Sequence, residues 1–190
     1  MKKALFIIPP ELFRDEEINI PLNILMEGNV KVAVASLKSG NIIGTKGSII
    51  KSDLLINDAG YDDFDAFIIV GGAGTKKYLW NEPRLHHLLR KAYMNNQLIA
   101  GICAGSVVLA KAGLLKGIKA STFQSEDYIE ELEKNGAIYT GKDLEEHGNI
   151  ITANGPLAAS EFGQAILNNL QLVSDHNTRT MPGRNPFNDL

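Results

Sequence analysis

Short apolar runs recur along the chain at the spacing of strands wound with helices. Ala4-Leu5-Phe6-Ile7-Ile8 and Val30-Lys31-Val32-Ala33-Val34-Ala35 predict two strands. Between them Ile18, Leu22, Leu25 and Met26 fall on one helical face, predicting a helix from Glu16 to Glu27 that Gly28-Asn29 ends. A strand, a helix and a strand in that order form a right-handed crossover unit with parallel strands. Ile42-Ile43 and Ile49-Ile50 then flank Gly44-Thr45-Lys46-Gly47, the pattern of an antiparallel hairpin.

The continuous run Phe67-Ile68-Ile69-Val70 has no polar face, as expected of a strand buried at the centre of a parallel sheet, and it stops at Gly71-Gly72-Ala73-Gly74. A helix is expected from Glu82 to Met94, followed by the strand Gln97-Leu98-Ile99-Ala100 and a helix over Ser106 to Ala110. Further strands are expected near Ile118 to Ser121, Ala137 to Tyr139 and Asn149 to Thr152, with helices over Glu126 to Glu133 and Leu157 to Leu170. The alternation predicts an α/β fold of the flavodoxin-like, doubly wound kind, with a mostly parallel sheet and one small antiparallel hairpin. Residues 1–173 are read as one domain. Ser174 to Leu190, polar and rich in Pro, Gly, Asn and Arg, is read as a tail.

Composition narrows the function classes. A chain of 190 residues with net charge −3 and no Lys/Arg cluster offers no phosphate-neutralising surface, so nucleic acid is not expected as a partner. No apolar run is long enough to span a bilayer, and the N-terminus lacks a signal peptide's apolar stretch and small-residue cleavage site, which predicts a cytoplasmic protein without a membrane partner. The single cysteine excludes an internal disulfide and a cysteine-based zinc cage, and the histidines lack metal-ligand spacing. No cofactor or metal is expected.

That cysteine is the chief candidate for chemistry. Gly101-Ile102-Cys103-Ala104-Gly105 sits between an apolar strand and a helix, the layout of a nucleophile elbow. A lone cysteine is by default a small buried hydrophobe; the flanking glycines and the strand-to-helix context make this one a reagent. An elbow leaves its central side chain exposed at a helix N-terminus, where the dipole and unpaired N–H groups are expected to pull the thiol pKa below roughly 8.5. The crevice of such a sheet lies at the C-terminal ends of neighbouring strands, which brings three loops together: the one after Ile8, the Gly71-Gly72 turn and the elbow. Backbone N–H groups of the glycine turn and of Ala104 are positioned to form an oxyanion hole. In the first loop, Asp15 and Glu16 are read as solvated partners of the helix dipole. Glu17, if its helix packs beside the elbow, meets the thiol and acts as general acid or base.

With these residues assembled, the chain resembles the ThiJ/PfpI superfamily, which includes the DJ-one branch, from Lys3 to about Leu170. The resemblance rests on Glu17 followed by Pro21, Phe64-Asp65-Ala66 leading to Ile69-Val70-Gly71-Gly72, the Ala100 to Gly105 elbow, and Thr152-Ala153-Asn154-Gly155-Pro156 ahead of Glu161-Phe162. It implies a reactive Cys103, a protonated Glu17 bonded to it, and Gly72 and Ala104 N–H groups facing a developing oxyanion. It also implies association as a homodimer.

The departures are equally informative. PfpI-type peptidases carry a histidine directly after the cysteine, where Ala104 stands, and the DJ-one branch carries one at the position matching Phe123. Class I glutamine amidotransferases need a late histidine-x-glutamate pair, whereas His147 precedes Gly148-Asn149. His86 and His87 are placed within a helix, His147 in a turn before a strand, and His176 in the tail, where reaching over a cleft is its one conceivable role. Two functions follow from the resemblance. One is a cysteine-dependent stress-response protein with weak, cofactor-independent glyoxalase or deglycase activity on small reactive carbonyls. The other is a redox sensor or chaperone in which peroxide oxidises Cys103. A cysteine peptidase is disfavoured.

Overall fold

The computed structural model describes residues 1–176. In chain order its elements are β1 (Lys3–Ile7), α1 (Asp15–Glu27), β2 (Lys31–Ser36), β3 (Gly40–Ile43), β4 (Ile49–Ser52), β5 (Leu54–Leu55) and β6 (Ala66–Ile69). There follow α2 (Pro83–Met94), β7 (Leu98–Ile102), α3 (Ala104–Lys111), β8 (Lys119–Ala120), α4 (Glu126–Lys134), β9 (Ile138–Tyr139), β10 (Leu144–His147), β11 (Ile150–Ala153) and α5 (Ala159–His176). Seven strands make the main sheet in the order β10-β11-β7-β6-β1-β2-β5. Every pairing in it is parallel except β10 with β11.

The pleat divides the interior into two cores. Along β1, Ala4 and Phe6 face one side with α1 and α5, while Leu5 and Ile7 face the other with α2 and α3. The central strands β6 and β7 are buried at every position, which is why they read as unbroken apolar runs. Phe6, Phe13, Phe67 and Phe162 are fully buried, each contributing about 1.5–3 kcal/mol of transfer free energy. Pro21 inside α1 has no N–H to return to the Glu17 carbonyl, and Gly163 of α5 lies against it; a Cβ there would stand 2.8 Å from Pro21 Cα.

The predicted α/β fold with its parallel sheet and its hairpin, β3 with β4, is therefore observed. Several expectations are corrected. The edge strands β5 and β10 carry no strand pattern in the sequence, and His147, expected in a turn, is the last residue of β10. β8 and β9 pair with each other outside the main sheet. The last helix continues through the expected tail boundary at Ser174 to His176; residues 177–190 lie outside the described residues, as does the side chain of His176.

The winding direction reverses between β1 and β6, since the chain runs from β1 outward through β2 to β5 and then returns to β6 on the other side of β1. That reversal opens the crevice that positions the site.

Candidate functional site

Three loops close on the crevice. The segment after β1 is tied to the one after β6 by the Arg14 N–H donating to the Gly71 carbonyl at 3.0 Å, and the elbow is tied to β11 by the Cys103 N–H donating to the Ala153 carbonyl at 2.9 Å. Cys103 itself has φ 56° and ψ −124°, a conformation a non-glycine residue holds only under constraint from its surroundings. Thr122 Oγ1 donates to the Cys103 carbonyl at 2.8 Å and Trp80 Nε1 to the Ala104 carbonyl at 2.9 Å, which fixes the strained turn from both sides. Gly105 is required because a Cβ there would overlap the Ile69 carbonyl oxygen. Gly71 is required because a Cβ would overlap Glu17 Oε2 and press to 2.7 Å of Cys103 Cβ.

Four residues expected at the site meet there. The Ala104 and Gly72 N–H groups both act on the Cys103 sulfur. Glu17 is fully buried, and the Gly71 N–H donates to its Oε2 at 2.9 Å. Its Oε1 has no conventional hydrogen-bond partner, and the Cys103 thiol is the side chain with which the carboxyl interacts. Burial drives the Glu17 pKa up to about 8, against the pull of the Gly71 N–H, the Cys103 thiol and the Arg14 charge. The carboxyl is therefore mostly protonated at neutral pH.

The expected lowering of the Cys103 pKa is overturned. Cys103 is only 8% exposed, and burial first, then the Glu17 charge, pushes the thiol up; the Ala104 and Gly72 N–H groups pull it down and are outweighed. Nor does the side chain stand free in solvent, as an elbow alone would leave it. The two buried acids share their protons and titrate as a pair. The Gly72 and Ala104 donors favour the thiolate and the Gly71 donor the carboxylate, while burial opposes both charges.

The reading of Asp15 as a solvated residue is also corrected. It is 4% exposed, accepting from the Lys46 N–H and Ser48 N–H at 2.8 Å each and from Thr45 Oγ1 at 3.1 Å. Burial raises its pKa, but these donors prevail and bring it down to about 2. Asp15 thus straps the β3–β4 turn onto α1. Glu16 is half-buried and pairs with both Arg14 and Lys46.

The result is a cleft of about 350 Å³ over Cys103 and Glu17, walled by Arg14, Thr45, Ala73, Phe123, Tyr128 and Pro156. Tyr128 packs edge-on against Phe123 at 5.8 Å and Trp80 at 5.2 Å between ring centroids. Burial and the neighbouring Cys103 push its hydroxyl up, so it stays protonated. Thr45 and Tyr128 were not singled out from sequence. The one available signal for Tyr128 was an aromatic residue in the first turn of an otherwise charged helix. Among the described residues no histidine lines the cleft. A larger hollow of about 570 Å³ lies against α2, lined by Arg84, His87 and Lys91 among others, and contains no cysteine or buried acid. Size alone does not locate the chemistry. Among the described residues no cluster of three His, Cys, Asp or Glu side chains is arranged to hold a metal, and no described helix is long and apolar enough to cross a membrane.

The DJ-1/PfpI family model matches residues 2–169. The chain belongs to the DJ-1/PfpI family. An uncharacterized protein of Methanocaldococcus jannaschii is 42% identical over 165 residues, covering 87% of this chain and 80% of the relative. Deglycase PfpI of Pyrococcus furiosus is 29% identical, over 81% of this chain and 90% of its own. The glutathione-independent glyoxalase DJR-1.2 of Caenorhabditis elegans is 29% identical over 95% of both chains. Among solved structures, a ThiJ/PfpI domain protein of Brachyspira murdochii superposes with a TM-score of 0.86 at 28% identity, covering 90% of this chain and 96% of that one. In this chain Ala104 follows the cysteine, and Phe123 and Tyr128 stand at the cleft.

Proposed function

We propose that the protein is a cysteine-dependent stress-response member of the DJ-1/PfpI family with weak, cofactor-independent glyoxalase or deglycase activity on small reactive carbonyls. The observation that supports this best is the buried pair, a proton-holding Glu17 against a sulfur that two backbone N–H groups address. The relatives named glyoxalase and deglycase support the same reading.

The catalytic form is the pair with one proton, Cys103 as thiolate and Glu17 as acid. With methylglyoxal the sulfur adds to the aldehyde carbon, and Glu17 gives its proton to the alkoxide, which the Gly72 and Ala104 N–H groups hold as it forms. Glu17, now a carboxylate, takes the hydrogen from the aldehyde carbon as a proton. It returns that proton to the adjacent carbon while the hydroxyl proton passes to the neighbouring oxygen, leaving a lactoyl thioester. Water cleaves the thioester, the sulfur regains a proton, and lactate leaves with one proton released to solvent. Glu17 carries both transfers without a histidine, which is why turnover is slow.

Incubation with methylglyoxal tests this reading: lactate forms, and Cys103→Ala abolishes it. No lactate overturns it.

The same donors favour one other reading. A sulfenic or sulfinic acid on Cys103 would have its oxygens held by the Glu17 acid and the two N–H groups, and no second cysteine exists to resolve it. Peroxide treatment that adds one or two oxygens to the intact mass, in a protein that makes no lactate, favours a sensor or chaperone instead. A peptidase is opposed by Ala104 and by the absence of histidine, among the described residues, from the cleft wall. The reading also takes the protein to be a cytoplasmic homodimer without a nucleic-acid partner, which sedimentation of the purified protein checks for the assembly.

A further inference from the structure

We propose that Arg14 makes the cleft selective for carbonyl compounds that carry a carboxylate. This deepens the reactive-carbonyl reading and rests on it. Arg14 walls the cleft beside Cys103 and Glu17, and its guanidinium acts through space on the Glu17 carboxyl. Only one edge of its fork is committed: Nε donates to Glu16 Oε2 at 2.9 Å and Nη2 to Glu16 Oε1 at 3.5 Å, while Nη1 makes no hydrogen bond among the described residues.

The charge balance at the mouth leaves Arg14 available. Glu16 is shared with Lys46 Nζ, so a single carboxylate meets two cations. Lys46 can keep Glu16 neutralised while Arg14 turns its open edge to an incoming anion. The other acids nearby do not compete. Asp15 is enclosed by the Thr45, Lys46 and Ser48 donors, and Glu17 holds a proton. A planar guanidinium with one free edge suits a planar carboxylate, which accepts two parallel hydrogen bonds. The opposite wall is aromatic, Phe123 and Tyr128, and suits the carbon skeleton. The substrate class is thus an α-oxoaldehyde whose far end is a carboxylate, the aldehyde reaching Cys103 and the acid reaching Arg14.

Alkylation of Cys103 reads this without needing turnover. Iodoacetate and iodoacetamide place the same carbon on the same sulfur and differ in charge. At low salt, Arg14→Gln is expected to lower the ratio of their rates by about tenfold, the size of one lost charge-assisted hydrogen bond; the ratio cancels any change Arg14 makes to the Cys103–Glu17 pair, which acts on both reagents alike. Arg14→Lys gives an intermediate ratio, because the charge remains and the fork is lost. Lys91→Gln, which changes net charge equally at the distant α2 hollow, leaves the ratio unmoved. A ratio unchanged in Arg14→Gln, or lowered as much in Lys91→Gln, overturns the proposal; thermal melts of each variant exclude loss of fold as the cause.

A second arm compares methylglyoxal with a five-carbon α-oxoaldehyde ending in a carboxylate. The KM of the acid rises about tenfold in Arg14→Gln and that of methylglyoxal does not. The two failures are distinct. A protein that forms no lactate yet keeps an Arg14-dependent alkylation ratio defeats the glyoxalase reading and leaves the anion selectivity standing. A protein that turns methylglyoxal over with the ratio unmoved defeats the selectivity alone.

Discussion

Asp15 and Glu17 stand two residues apart on the first turn of α1, both buried, and they titrate in opposite directions. On the side facing the hairpin, Asp15 accepts from two backbone N–H groups and a hydroxyl, and its pKa falls to about 2. On the side facing the elbow, Glu17 accepts from one N–H, has an oxygen without a partner, and rises to about 8. Burial pushes both upward; the number of donors decides the outcome. One turn of helix therefore carries a charged strap that fixes a loop and a neutral acid that holds a proton for chemistry.

The largest expected effect comes from removing what Glu17 faces. Cys103→Ala should lower lactate formation at least about a thousandfold, measured against the uncatalysed rate. Glu17→Gln keeps the shape and removes the transferable proton, and should lower the rate about a hundredfold. The same variant tests the electrostatics. Because the folded pKa of Glu17 lies above its ordinary 4.5, the folded state holds the extra proton between pH 4.5 and 8. Its contribution to stability is full below that window and is lost as pH rises through it. Denaturant titrations should show wild type weakening relative to Glu17→Gln across that range, and parallel curves would break the contrast.

Asp15 should behave in the reverse sense. Asp15→Asn is expected to cost about 2 kcal/mol of stability at neutral pH with a rate change within about threefold. Its folded pKa lies below the ordinary 3.8, so the contribution is present above that value and disappears as pH falls toward 2. A loss of activity as large as that of Glu17→Gln would erase the distinction between strap and acid.

Much of this is legible in the sequence. The elbow announced itself because its steric demands are local: two glycines around one cysteine between an apolar strand and a helix. The parallel core was visible because β6 and β7, buried on both faces, leave runs with no polar interruption. What stayed hidden depends on contacts distant in sequence. Asp15 looks like any acidic residue in a first turn until the β3–β4 turn folds over it from thirty residues away. Tyr128 reaches the cleft only through the packing of α4 against Trp80. The direction of the Cys103 shift differs from the sequence expectation because helix position is local and visible, whereas the depth of burial is set by the whole crevice. β10 is polar and at the sheet edge, so its pattern carries no core signal.

The most direct test of the shared proton is the rate of Cys103 alkylation by iodoacetamide followed across pH, in wild type and in Glu17→Gln. Coupled acids predict a wild-type rate that rises through an inflection near pH 8, and a Glu17→Gln profile from which that inflection is gone. Superimposable profiles for the two proteins would contradict it.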